Sequence, residues 1–96
     1  NLGSAYESLG DYPKAIEYLE LALASDLKTY GEDHPSVATR RNNLGSAYDS
    51  LGDYPKAIEY YDSAYLIMLN VLGDSHPNTK IVKENLDRAI RESTKQ

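Results

Sequence analysis

Cysteine, tryptophan and phenylalanine are absent from this 96-residue chain, and basic residues are scarce, with ten Lys and Arg against fifteen Asp and Glu. Without cysteine there are no disulfides and no thiolate metal ligands, which fits a reducing compartment and makes a cytoplasmic location the expectation. A net charge of −5 leaves no basic patch or stripe of the kind a nucleic-acid partner requires. The longest apolar run, Ala64 to Leu69, falls far short of the roughly 20 residues a bilayer demands, so no membrane role is expected. A chain of this length forms one compact body that buries roughly 60 to 70 per cent of its unfolded surface, which leaves little room for a deep catalytic cleft. No initiator Met or signal peptide opens it, and Asn1 falls inside a repeated unit, so the sequence reads as part of a longer array.

What is present is repetition. NLGSAYESLGDYPKAIEY at residues 1 to 18 returns as NLGSAYDSLGDYPKAIEY at residues 43 to 60, with the single change Glu7 to Asp49. Gly10 matches Gly52, Gly31 matches Gly73, His34-Pro35 matches His76-Pro77, and Asn43-Leu44 matches Asn85-Leu86, a constant offset of 43 − 1 = 42. Catalytic sites are seldom duplicated within one small domain, whereas a unit that stacks on its own copy must be. Charge does not follow the repeat. Residues 1 to 76 hold five basic and twelve acidic side chains, a net of −7, and residues 77 to 96 hold five and three, a net of +2.

Within each unit, glycine and proline mark the breaks. Gly10 and Gly52 close one helical pattern. Asp11-Tyr12-Pro13 and Asp53-Tyr54-Pro55 open the next, since proline suits a helix's first turn, where its missing N–H costs nothing. Apolar residues then recur at helical spacing, Ile16, Leu19, Leu23 and Leu27 in one unit and Ile58, Tyr61, Tyr65 and Leu69 in the other. Gly31 to His34 and Gly73 to His76 are turns, and Pro35 and Pro77 start further helices. The spacing predicts helices near residues 1–9, 13–30, 35–51, 55–72 and 77–93.

Gly3 and Gly45 sit mid-helix, where glycine costs roughly 1 kcal/mol relative to alanine. Close approach to the hairpin partner explains that cost. In the third copy the register holds Asp87, and no further GDYP segment follows. Residues from Pro77 onward therefore read as a terminal cap, with Ile81, Leu86 and Ala89 or Ile90 facing the last hairpin and Lys80, Lys83, Arg88, Arg91 and Glu92 outward. The units are a first repeat at 1–34, a second at 35–76 and the cap at 77–96.

Leu44-Gly45, Tyr48, Ala57, Tyr61 and Ala64 resemble the tetratricopeptide repeat pattern, and the first copy supplies Leu2-Gly3, Tyr6, Ala15, Leu19 and Ala22. Arg41 stands where that family carries Trp, Leu27 and Leu69 where it carries a closing Pro, and the period exceeds the usual length of roughly 34 residues. The variant resembles the longer repeats of kinesin light chains. The resemblance implies an all-α fold, an α-solenoid of stacked antiparallel helix hairpins wound into a right-handed superhelix. It also implies a concave groove lined by the first helices that holds a protein or peptide partner, with no catalysis and no cofactor. In long-repeat members an asparagine before that Leu faces the groove and bonds the ligand backbone, and Asn1, Asn43 and Asn85 match it.

The surrounding residues leave choices open. Ser4, Glu7 and Ser8, then Ser46, Asp49 and Ser50, then Arg88, Arg91 and Glu92 share a face with those asparagines, either as a groove graded from acidic to basic or as an ordinary solvated surface. The asparagines themselves bond either a ligand or neighbouring helices. His34 and His76 lie one repeat apart, too far to share an ion bound at about 2 Å, so they are expected to hydrogen-bond or pack beside their prolines, with no metal site. The nine tyrosines fall mostly at positions a stack buries, Tyr18 and Tyr60 being more exposed. Ala24, Ser25 and Asp26 become Leu66, Ile67 and Met68 in the second copy, a surplus of apolar surface for the cap or for a second chain to cover. Leu2, Tyr6 and Leu9 at one end, with Leu66 and Met68, are candidates for self-association. The leading expectation is a non-enzymatic interaction scaffold, and the alternative is a module that assembles with its own copies end to end.

Overall fold

The structure, a computed structural model, describes residues 12–95. Four helices follow one another: α1 Tyr12–Tyr30, α2 Pro35–Leu51, α3 Tyr54–Leu72 and α4 Pro77–Thr94. These bounds agree with the predicted spans to within one residue; the helix expected near 1–9 lies outside the described residues. Asp53 caps α3 by accepting from the Lys56 N–H. His34 and His76 cap α2 and α4, each Nδ1 accepting from the backbone N–H two residues on, at 3.0 and 3.1 Å. The histidines thus take the hydrogen-bonding role expected of them, satisfying N–H groups that a helix start leaves without partners. Gly52 ends α2 with φ of 81°, a left-handed conformation that glycine adopts without steric penalty.

Helix α2 packs against both α1 and α3, and α4 packs on α3 while touching α2. The interior belongs to neighbouring hairpins jointly. Leu19 of α1 meets Leu44 and Ala47 of α2. Ala57 and Tyr61 of α3 meet Leu86 and Ala89 of α4. A third cluster gathers Val37 and Ala38 of α2, Ala64, Ile67 and Met68 of α3, and Val82 of α4. A Cβ on Gly45 would stand 2.7 Å from two ring carbons of Tyr61, so the glycine of α2 permits the approach of its hairpin partner.

Several expectations are corrected. The cap buries Thr79, Val82, Leu86 and Ala89, while Ile81 and Ile90 are 51% and 43% exposed. Each of these two isoleucines lies one residue from a buried position, a turn of about 100° about the helix axis. The apolar surplus of the second copy is divided: Ile67 and Met68 are buried beneath α4, and Leu66 is 56% exposed. Met68 is therefore core and no longer a candidate for self-association. Leu69 is also exposed, because Ala64 and Met68 occupy the inward positions. Of the described tyrosines only Tyr61 is fully buried, and the rest keep an edge in solvent.

The repeat register exposes one exchange that the sequence comparison did not single out. Arg40 Nε donates to Asp26 Oδ2 at 3.0 Å between α1 and α2. Adding 42 to each number gives Val82 and Met68, which pack together between α3 and α4. One junction is an ion pair and its equivalent is an apolar contact.

Replacing Gly45 by Ala should destabilise the chain by about 1–3 kcal/mol through overpacking on Tyr61, although the same change favours an exposed helix. In a Tyr61→Leu background the penalty should vanish, since Leu19 occupies that register in the first copy. Denaturant melts of the two single variants and the double variant check this.

Candidate functional site

Helices α2 and α4 are the first helices of successive units, and two polar rungs join them. Asn85 Nδ2 donates to Asn42 Oδ1 at 3.0 Å. Nearer the C-terminal ends, Arg88 Nη2 donates to Asp49 Oδ2 at 3.2 Å, and the Tyr61 hydroxyl reaches the same oxygen at 3.4 Å. Beyond the Asn rung, toward the helix N-termini, a hollow of about 180 Å³ opens between Thr39, Asn42, Asn78 and Ile81 over a floor of Met68 and Val82.

Of the residues singled out as groove-lining, the structure brings Asp49, Asn85 and Arg88 into this seam. Asp49 and Arg88 meet, so the acidic and basic poles of the expected gradient partly satisfy one another. Asn85 bonds a neighbouring helix rather than standing clear, as its alternative reading held. Asn43 is half-buried and lines a different hollow, of about 310 Å³, with Asp26, Tyr30, Ser36, Thr39 and Arg40. Ser46 is half-buried and hydrogen-bonds Tyr61. Ser50 and Arg91 are exposed and border neither hollow. Asn1, Ser4, Glu7, Leu2, Tyr6 and Leu9 lie outside the described residues.

Sequence reasoning missed Asn42, Thr39, Asn78 and Ile81. The signal was present for the first two, because Thr39, Asn42, Ser46 and Asp49 follow steps of three and four along one helix face. Asn42 escaped notice because its repeat equivalent is Glu84, so only Asn43 forms a ladder of like residues.

The seam is electrostatically quiet but not inert. Burial pushes the Tyr61 hydroxyl from its ordinary 10.0 up to about 12, and the Asp49 carboxylate adds to the shift, while hydrogen bonds from Ser46 and Arg88 oppose it. On the opposite side of α2, Tyr48 stacks on Tyr60, with ring centroids 5.7 Å apart, and donates to Glu20 Oε1 at 3.2 Å. Burial and that carboxylate raise Tyr48 to about 12 as well. Arg41, at the register where the resembled family carries Trp, donates through Nη1 to Ser63 Oγ, and its Nε is buried without a hydrogen-bond partner among the described residues. Among the described residues no three His, Asp or Glu side chains gather as metal ligands. No helix among them is long and apolar enough to cross a membrane.

Comparison with known proteins agrees with this architecture. Residues 1–69 match the tetratricopeptide repeat family, and the chain belongs to that family. Its members generally mediate protein–protein interaction and are typically non-enzymatic scaffolds. Among solved structures, the nearly identical TPR-like repeats of a putative kinesin light chain from Podosopora anserina superpose with a TM-score of 0.87 at 28% identity, over 98% of this chain. A second solved structure, a variant of the same protein, gives the same values. The chain spans 44% of the length of those proteins. Comparison with curated proteins gave no significant match.

Tyr48 and Tyr61 make stability pH-dependent in the alkaline range. Their hydroxyls hold the proton to about 12 in the folded chain, whereas unfolded tyrosine releases it near 10.0. The folded state therefore binds more protons in that window, and the stabilisation, complete below pH 10, is lost as pH rises toward 12. Urea melts at stepped pH should show this decline, and Tyr61→Phe should flatten it. A slope indifferent to that substitution would remove Tyr61 as its source.

Proposed function

We propose that the chain is a non-enzymatic interaction module that receives an extended segment or helix of a partner protein along the face where α2 and α4 lie side by side. The observation that carries this reading is the hollow bounded by Thr39, Asn42, Asn78 and Ile81, open to solvent beside the Asn42–Asn85 rung. It combines an apolar floor with carboxamides, which offer a donor and an acceptor to a peptide backbone whatever its side chains. The family's general role in protein–protein interaction supports the same reading.

A second reading rests on a different surface. Leu66 and Leu69, three residues apart and so on one side of α3, are both exposed, and such a pair suits a second copy of the chain. Light scattering separates the two, since a monomer at micromolar concentration removes the assembly reading.

Peptides selected by display against the whole chain should bind it, and Thr39→Arg, which places a long side chain between the two hollows, should weaken that binding about tenfold or more. Melting should stay within a few degrees of the parent, because Thr39 is exposed. Fluorescence anisotropy gives the affinities. Binding indifferent to both Thr39→Arg and Asn42→Ala would overturn the assignment of the face.

A further inference from the structure

The hollow of α1 and α2 and the hollow of α2 and α4 are the same feature one repeat apart. Asp26, Ser36, Thr39 and Arg40 line the first, and adding 42 gives Met68, Asn78, Ile81 and Val82, which line the second. The backbone arrangement repeats and the chemistry does not. In the first, the paired Asp26 and Arg40 are joined by Tyr30, Ser36 and Asn43, so hydrogen-bonding groups surround the space. In the second, an apolar floor and Ile81 replace them, with polar groups only at the rim. Thr39 belongs to both, so the hollows flank α2 and share a wall.

We infer that they are paired side-chain subsites of opposite preference: an extended partner segment crossing α2 at Thr39 places an aliphatic side chain over Met68, Ile81 and Val82 and an uncharged hydrogen-bonding side chain beside Asp26 and Arg40. This rests on the peptide-binding reading above and specifies its ligand. The size fits, since a dry cavity of about 150 Å³ takes up a benzene-sized guest, and the apolar hollow has about 180 Å³. An uncharged group suits the polar hollow because Asp26 and Arg40 already balance each other. An incoming charge would repel one of them and compete for the other, whereas a carboxamide or hydroxyl gives and accepts at no such cost. Of the two forms of partner proposed above, an extended segment is the one that reaches both hollows, because the Asn42–Asn85 and Asp49–Arg88 rungs keep a helix of about 10 Å diameter from entering between α2 and α4. The hollows lie on either side of one helix, about 10 Å apart, which is about three residues of a polyproline-like extended chain, whose side chains return to the same side every third residue.

The test is a random peptide library selected on the whole chain, followed by anisotropy titration of one selected peptide and its single-residue variants. Selected sequences should pair Leu, Ile, Val or Met with Asn, Gln, Ser or Thr about three residues away, and replacing the aliphatic residue by Ser should weaken binding about tenfold. The double variant Met68→Asp/Val82→Arg installs in the second hollow the pair with which the first already folds. It should abolish that tenfold preference while binding of the Ser peptide persists. Ile81→Thr, at the half-exposed mouth, should reduce the preference with little effect on melting, and keeps the test open if the double variant does not fold. Selected peptides without an aliphatic preference, or a preference that Ile81→Thr and the double variant leave unmoved, overturn the subsites alone. If no peptide is retained, the binding face itself fails and the subsites with it.

Discussion

The contact between the Tyr61 ring and the backbone of α2 at Gly45 is the constraint on which the rest of the structure depends. The ring lies where any Cβ at residue 45 would be, so α2 and α3 approach to a distance that only glycine permits. The same side chain continues past the hairpin: its ring joins Ala57, Leu86 and Ala89, which ties the second unit to α4. Its hydroxyl then reaches Asp49, the residue that also receives Arg88. Hairpin closure, stacking on the next unit and one rung of the candidate site thus share a single buried tyrosine. Small residues do the complementary work, since Ala47, Ala57, Ala64 and Ala89 are fully buried and keep the helices close.

Units with nearly the same sequence face a problem that unlike domains do not, because any unit can pair with the wrong neighbour. The junctions answer it chemically. The Asp26–Arg40 pair at one junction and the Met68–Val82 contact at the next share a geometry but cannot exchange partners. Crossing them would set Met68 against Arg40 or Asp26 against Val82, leaving a part-buried charge without its counterion. A part-buried ion pair gives up much of its attraction to desolvation and contributes little net stability by itself. Its value here is discrimination, which depends on the cost of the wrong pairing and not on the strength of the right one.

Most of the fold was legible in the sequence because its determinants are local. Proline after an N-cap, glycine at a left-handed turn and a glycine opposite an aromatic each constrain a few residues, and they placed the four described helices. Orientation about each helix axis was less legible. Ile81 was expected inside and lies outside, next to Val82; of the alternatives Ala89 and Ile90 it is Ala89 that is buried; and Asn42, beside the Asn43 that was singled out, borders the hollow of α2 and α4. Each difference is a single residue, and a single residue rotates a side chain by about 100°. Helix α2 contacts α1, α3 and α4, so most of its circumference touches something, and periodicity does not say which polar stripe is left for a ligand. The ladder of like asparagines was a persuasive signal, but likeness between repeats marks equivalent positions and not exposure.

Charge counted along the chain does not say which charges are already paired. A body at −7 and a tail at +2 suggest a site that steers ligands by charge. In the structure Arg88 of that tail is joined to Asp49, and Arg40 of the body to Asp26, so four of these charges are engaged within the protein, although the second pair leaves the net charge of the body unchanged. The hollow on the α2 and α4 face is lined by carboxamide, hydroxyl and apolar side chains. Under the proposed reading, recognition there would depend on shape and on hydrogen bonds at short range, which salt screens little. That division agrees with a TM-score of 0.87 at only 28% identity. Close helix packing requires small and aromatic residues at a few buried positions, and the outward positions of the same helices are free to differ from one array to another.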